Sequence, residues 1–412
     1  MTINTLSFRS LTATRNGRLL FFGLLYFVQG GMLAYVLVFN NLYLRLSGAT
    51  AGQLSLLNGL LAVPFILKIA IGLLSDKVPL NLPLLGSGHR TPYMRLGLLA
   101  IAIGGSGAAF IHPVAQYPLF IAVALFIAFG LAFYDTVADG LAIDVTPRAQ
   151  HEQVQGAMLV GRSLGFVMLA AVYGRLIAAT GWQIVFAFVI LFALLPLPLL
   201  ARMPEPAERP AAQQFSWAAL RGLWRPEIGR FALYAIVYSV AIYGTNAIIM
   251  LFANEELGGT LVQVGDVAAL GGLGMVVGGL SGSLFGRRLS IWQFGYMTAT
   301  AVSLTLLLIA SVANLQNIAA ITLLWGVALA SAELVFLTLS MSKTDPRIGA
   351  GQFAIFMAIS NVGTGIGQAA ATGLIDTVDF HWIFVGMAAI NLLTIPLLAA
   401  MSRDQLTISN EQ

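Results

Sequence analysis

The sequence predicts an all-α membrane protein in which twelve transmembrane helices form two pseudo-symmetric six-helix bundles. Three observations carry that expectation. The chain is 58% hydrophobic and 9% charged over 412 residues, whereas a soluble domain holds about 45–50% apolar and about 25% charged residues. Twelve apolar runs recur along it, each close to the roughly 20 residues that cross a bilayer core. The basic residues crowd into every second connection, as the positive-inside rule demands.

The runs lie near 19–43, 53–75, 95–111, 116–143, 154–178, 182–201, 229–252, 262–285, 291–312, 317–341, 350–375 and 381–401. The first follows Arg9, Arg15 and Arg18. It is far longer than the apolar core of a signal peptide and lacks a small-residue cleavage site, so it is expected to be retained. A cytoplasmic N-terminus puts 17 of the 21 Lys and Arg on that side, leaves Arg45 and Arg175 outside, and keeps Lys68 and Arg162 within spans. A missed span would scramble this bias, so both termini are expected in the cytoplasm.

The longest connection carries Pro204, Pro206 and Pro210, then an amphipathic stretch around Phe215, Trp217, Leu220 and Leu223. That stretch is expected to lie along the membrane interface. The connection divides the chain into an N-terminal bundle (1–201), a linker (202–228) and a C-terminal bundle (229–412). Landmarks repeat across the division. Arg162 follows Arg148 by 14 residues and Asn361 follows Arg347 by 14, while Gly72 to Lys77 has a counterpart in Gly282 to Arg287. A parallel repeat about the membrane normal places a substrate site where the halves meet.

Several classes of function are excluded by composition. With no cysteine, disulfides and thiolate metal sites are ruled out, and His89, His112, His151 and His381 are too scattered to suggest a metal cluster. The net charge of +4 is spread over short loops, a matter of topology and not of nucleic acid binding. Gly is abundant at 43 residues, which suits close helix approach in lipid. Runs such as Gly271 to Gly282 sit inside an apolar span, and neither a P-loop nor a dinucleotide fingerprint is present. No enzyme activity and no cofactor are expected, so energy would come from an ion gradient or from the substrate itself.

These landmarks resemble the major facilitator superfamily. Gly72-Leu-Leu-Ser-Asp76-Lys77, followed by Gly88-His89-Arg90, fits that family's G-x-x-x-D-R/K loop between spans two and three, with an insertion around Pro79 to Gly86. The stretches Tyr26 to Gly30, Pro64 to Lys68 and Asp135 to Pro147 are similar to the branch of muropeptide permeases, acetyl-CoA transporters and folate–biopterin transporters. In that branch a second-span lysine, a D-x-x-x-D pair in the fourth span and an arginine before a glycine in the fifth recur, which points to Lys68, Asp135, Asp139 and Arg162. Two departures matter. Muropeptide permeases usually have a run of arginines where this chain has Gly-His-Arg-Thr-Pro, and the fifth span lacks the Gly-Pro motif of drug/proton antiporters.

Five charges fall near the middle of spans: Lys68, Asp135, Asp139, Arg162 and Glu333. Such charges are expensive in lipid and mark interiors, partners and ion paths. At 1.5 Å per residue each lies roughly 12–18 Å from its cytoplasmic span end, on spans that the resemblance assigns to the cavity or its flanks. Asp135 and Asp139 share one helical face, and the five leave one carboxylate formally unpaired. One of Asp135, Asp139 or Glu333 is therefore expected to carry a coupling proton, the alternative being a fixed network that holds spans two, four and five together. The resemblance makes Asp76, Lys77, Arg90, Asp144 and Arg148 an inner gate. Gln29, Tyr243 and Asn361 are the expected substrate-binding groups.

The expected function is alternating-access, proton-coupled symport of a small polar or amphiphilic metabolite, muropeptide-like or pterin-like, with a non-transporting assembly or delivery factor as the alternative. Expected partners are a small-molecule substrate, a proton and the lipid bilayer, with no nucleic acid. A monomer in the bacterial inner (plasma) membrane is expected.

Overall fold

The computed structural model describes residues 13–83, 85–200, 226–285, 288–344 and 349–410. Among them, twelve helices are long and apolar enough to cross a membrane. Spans 1 to 6 are Arg15–Leu46, Ala51–Lys77, Thr91–Phe110, Tyr117–Val145, Gln153–Thr180 and Gln183–Leu200. Spans 7 to 12 are Pro226–Glu256, Leu261–Ser281, Ile291–Val312, Ile318–Ser342, Gln352–Leu374 and Phe380–Arg403. Every expected apolar run is one of these helices. The amphipathic stretch of the linker, and the landmarks Gly286, Arg287, Pro346 and Arg347, lie outside the described residues.

The chain forms two compact units, Met1–Val36 with Leu67–Gln214 and Leu37–Ile66 with Phe215–Gln412. They follow the two sequence halves except over Leu37–Ile66, which groups with the second half. Both cuts fall where a helix is irregular. Span 1 widens into a π turn over Tyr35–Phe39. Span 2 is helical over Ala51–Ile66 and again over Lys68–Lys77, interrupted at Leu67 just after Pro64. Proline has no N–H to give the ladder and its ring crowds the preceding turn, so Pro64 weakens the helix just before the interruption at Leu67. Span 7, the repeat counterpart of span 1, also ends in a π turn, Phe252–Glu256.

In the first unit, spans 1 and 5 touch along their backbones. Gly161 and Gly165 form a G-x-x-x-G step on span 5, and a Cβ on Gly165 would lie 2.0 Å from the Phe27 carbonyl oxygen. In lipid no hydrophobic drive joins helices, so small residues that admit close van der Waals contact take its place. The connection from span 2 to span 3 folds into a hairpin, β1 (Leu80–Leu82) and β2 (Gly86–Gly88), with Leu80 opposite Gly88 and Leu82 opposite Gly86. The sequence reading has only an insertion there.

In the second unit, spans 8 and 10 repeat the device, since a Cβ on Gly326 would lie 2.0 Å from the Gly271 carbonyl oxygen. Spans 7 and 10 are joined by stacked rings. Phe231 lies 5.9 Å from Phe336, and Phe336 lies 5.3 Å from Tyr238, with planes inclined by 6° and 21°. Span 11 meets the interruption of span 2, where Asn361 Nδ2 donates to the Phe65 carbonyl at 3.0 Å. A carbonyl near a broken helical ladder needs such a donor in lipid. This bond gives Asn361, expected as a substrate ligand, a structural duty.

Candidate functional site

Three clusters of polar residues stand out. The first, within the first unit, is built on span 4, whose Asp135 and Asp139 lie one turn apart. Lys68, the first residue after the break in span 2, forms an ion pair with Asp135 Oδ2. Gln29 of span 1 donates from Nε2 to Asp135 Oδ1 at 2.5 Å. Asp135 thus has one oxygen on a cation and the other on an amide. Asp139 is different: it accepts the phenol of Tyr26, also on span 1. Arg162 of span 5 exerts a favourable charge on both carboxylates.

The structure therefore gathers four of the five expected intramembrane charges and Gln29 into one cluster, and adds Tyr26. Tyr26 precedes Gln29 by three residues and so shares its helical face, a signal the sequence contained. The fifth charge, Glu333, lies in the second unit, where Tyr243 of span 7 donates to its Oε1 at 3.3 Å.

The second cluster centres on Arg90, which is 3% exposed. Its Nε donates to Asp144 Oδ2 at 2.8 Å, and Nη1 reaches Asp76 at 3.2 Å and Ser75 Oγ at 2.9 Å. The guanidinium thus ties the end of span 2, the start of span 3 and the end of span 4 within the first unit. Gly140 leaves it room, since a Cβ there would lie 2.4 Å from the guanidinium carbon. Lys77 is exposed. Arg148 lies in a 3-10 turn, Arg148–Gln150, with its side chain outside the described residues. Gly140→Ala is expected to push Arg90 off its partners and lower thermal stability by about 1–3 kcal/mol, the usual range for overpacking. Unfolding followed in detergent checks this, with Gly156→Ala, which meets nothing within 4 Å, as the control.

The third cluster escaped the sequence reading. At the end of span 1, in the second unit, Arg45 pairs with Glu255 of span 7 at 2.8 Å and with Asp376 at 2.6 Å. The other oxygen of Asp376 accepts from the backbone N–H of Ala51, at the start of span 2, at 2.7 Å. Those two bonds, the Ala51 N–H first and the Arg45 guanidinium second, hold the Asp376 carboxyl below the usual carboxylate range. One turn deeper, Asn41 donates to the Ala247 carbonyl at 3.1 Å and accepts from Asn58 at 3.0 Å. The only hint in the sequence was that Arg45 is a rare cation on the side that otherwise has only Arg175.

Comparison with known proteins agrees with this architecture. The family profile described as Major Facilitator Superfamily matches residues 19–353. A probable sugar efflux transporter of Mannheimia succiniciproducens is 27% identical over 245 residues, taking in 56% of this chain and 58% of that protein. The match thus spans little more than half the length of that relative. Among solved structures, a bacterial homologue of the human lysosomal transporter Spinster, inward-facing and unoccupied, superposes with a TM-score of 0.71 at 16% identity, covering 95% of this chain and 98% of that one. The nucleoside transporter NupG gives 0.73 at 14% identity over 93% and 98%. At these identities the likeness is one of fold.

Proposed function

This chain belongs to the Major Facilitator Superfamily, and from that premise we propose that it is a proton-coupled symporter of a small polar metabolite. It works by alternating access between its two six-span halves, with both termini in the cytoplasm. The observation that carries the reading is the unequal treatment of two carboxylates one turn apart. Asp135 is neutralised by Lys68 and Gln29, whereas Asp139 holds the neutral phenol of Tyr26. Asp139, which holds a neutral phenol where Asp135 holds a cation, is the group that takes up and releases the proton.

The substrate meets the same cluster. Lys68 and Gln29 offer it a cation and an amide. The relative named for sugar efflux supports a small, hydroxyl-bearing solute, and the sequence resemblance admits a muropeptide or a pterin. The Arg90 cluster braces the ends of spans 2, 3 and 4 within the first half, and the Arg45 cluster, which joins span 1 to span 7, serves as the outer closure. The irregular points at Tyr35–Phe39 and Pro64–Leu67 are the places where spans 1 and 2 bend as that closure forms and releases. Partly exposed ion pairs are worth under about 1 kcal/mol each, weak enough for an outer closure that must open in every cycle.

Two expectations follow for the outer closure. A thiol-reducible cross-link between Arg45→Cys and Asp376→Cys, in a chain with no native cysteine, is expected to stop transport until it is reduced. Continued transport by the cross-linked protein refutes the outer closure. The contribution of Asp376 should be fully present above the ordinary carboxylate range and lost only as pH falls through its depressed pKa, so closure is expected to be insensitive to pH across the neutral range.

A further inference from the structure

The hairpin between spans 2 and 3 has no part in the transport reading. Leu80 and Leu82 share one face of β1, because side chains alternate along a strand. Opposite them stand Gly88 and Gly86, while Asn81 pairs with Ser87 on the other face. Leu82 is 43% exposed and the neighbouring Val78 47%. Asn81 and Ser87 are exposed as well, so the hairpin is amphipathic.

Its position is fixed. Arg95 of span 3 donates from Nη1 to the Leu85 carbonyl and from Nη2 to the Leu200 carbonyl, each at 2.5 Å. Leu200 is the last residue of span 6, so one guanidinium holds the hairpin level with the end of a membrane span. Tyr93 adds a bond from its hydroxyl to the Val78 carbonyl at 3.0 Å. Below this level the outward faces of spans 3 and 6 remain apolar, with Leu96, Leu194, Leu195 and Ile103 all exposed. Leu82 adds an exposed apolar side chain at the end of that surface, with Leu80 half-buried beside it. Lys77, exposed beside Val78, supplies a cation at the height of the headgroups, where basic groups are attracted to anionic lipid.

We propose that this hairpin is a membrane-surface anchor: Val78, Leu80 and Leu82 enter the boundary between headgroups and acyl chains, and Lys77 meets lipid phosphate. The proposal does not depend on what is transported. It explains why an apolar insertion is tolerated between two spans, since the bilayer covers surface that water would otherwise wet.

Because the chain has no cysteine, single labels report without background. Leu82→Cys, Ser87→Cys and Ile103→Cys would each carry a nitroxide in vesicles of phosphatidylcholine and phosphatidylglycerol, with Val78→Cys in reserve if Leu82→Cys does not fold. Collision with oxygen, which partitions into lipid, is compared with collision with a water-soluble nickel complex. The label at 82 is expected to favour oxygen several-fold over the label at 87 and to approach the span label at 103. Equal access of nickel to 82 and 87 overturns the proposal. Protection of 82 from both reagents also overturns it, because the face is then covered by protein.

Discussion

Asp139→Asn is expected to abolish concentrative uptake while leaving exchange of substrate across the membrane intact. One elementary charge moving down 100 mV releases about 2.3 kcal/mol. For a neutral solute carried with one proton, that supports a concentration ratio of about 50-fold, since 1.4 kcal/mol is tenfold. An amide cannot hold the transported proton but keeps the size of the side chain and can still meet the Tyr26 phenol. Accumulation should therefore fall from about 50-fold to unity, with counterflow preserved. Lys68→Gln should behave differently, because it leaves Asp135 without its cation. Removing one partner of a buried pair costs roughly 3–5 kcal/mol, so thermal stability falls and transport with it. If the cluster is only a fixed brace, Asp139→Asn lowers stability and leaves the accumulation ratio where it was.

Gly326→Leu is expected to be the most damaging single change in the second unit. Spans 8 and 10 approach so closely there that even a Cβ would sit 2.0 Å from the Gly271 carbonyl oxygen. That neighbour is backbone, so relief requires the helices to part. Overpacking of this kind costs about 3 kcal/mol or more, and parting the helices would also pull Ser331 away from Ser281 and the Gly278 carbonyl, which it meets at 3.0 and 3.4 Å. The unfolding temperature should drop by roughly 3–4 °C or more, read by loss of the monodisperse peak after heating. Gly386→Leu, at a position where a Cβ meets nothing within 4 Å, should leave it unchanged.

The spans were legible because lipid imposes a local rule: every crossing needs its own apolar run, and its hydrogen bonds close within itself. The charge cluster was legible in outline for a related reason. Ionisable residues are so costly in a span that Lys68, Asp135, Asp139 and Arg162 announce themselves. Their pairing was not legible. Nothing along the chain says that Lys68 takes Asp135 and that Tyr26 takes Asp139, since this depends on how spans 1, 2 and 4 rotate against one another.

Asn361 shows the same limit from the other side. It reads as a polar group facing a cavity, yet it satisfies the Phe65 carbonyl beside the interruption at Leu67, a need created on another span. Arg90 was legible as a charged loop residue, but its central place depends on the missing side chain of Gly140, 50 residues on. The Arg45 cluster draws on four separate segments, each unremarkable by itself. The hairpin was hidden because three-residue strands give too short an alternation to register.

The central claim, proton-coupled transport, is tested most directly by proton movement in sealed proteoliposomes. Purified protein is reconstituted with a pH-sensitive dye inside and challenged in turn with a muropeptide, a pterin, a nucleoside and a hexose. At least one compound should acidify the lumen on addition, and Asp139→Asn should abolish that signal while still exchanging the same labelled compound. A wild-type protein that moves a compound with no accompanying proton, or an Asp139→Asn variant that acidifies the lumen as the wild type does, contradicts the account.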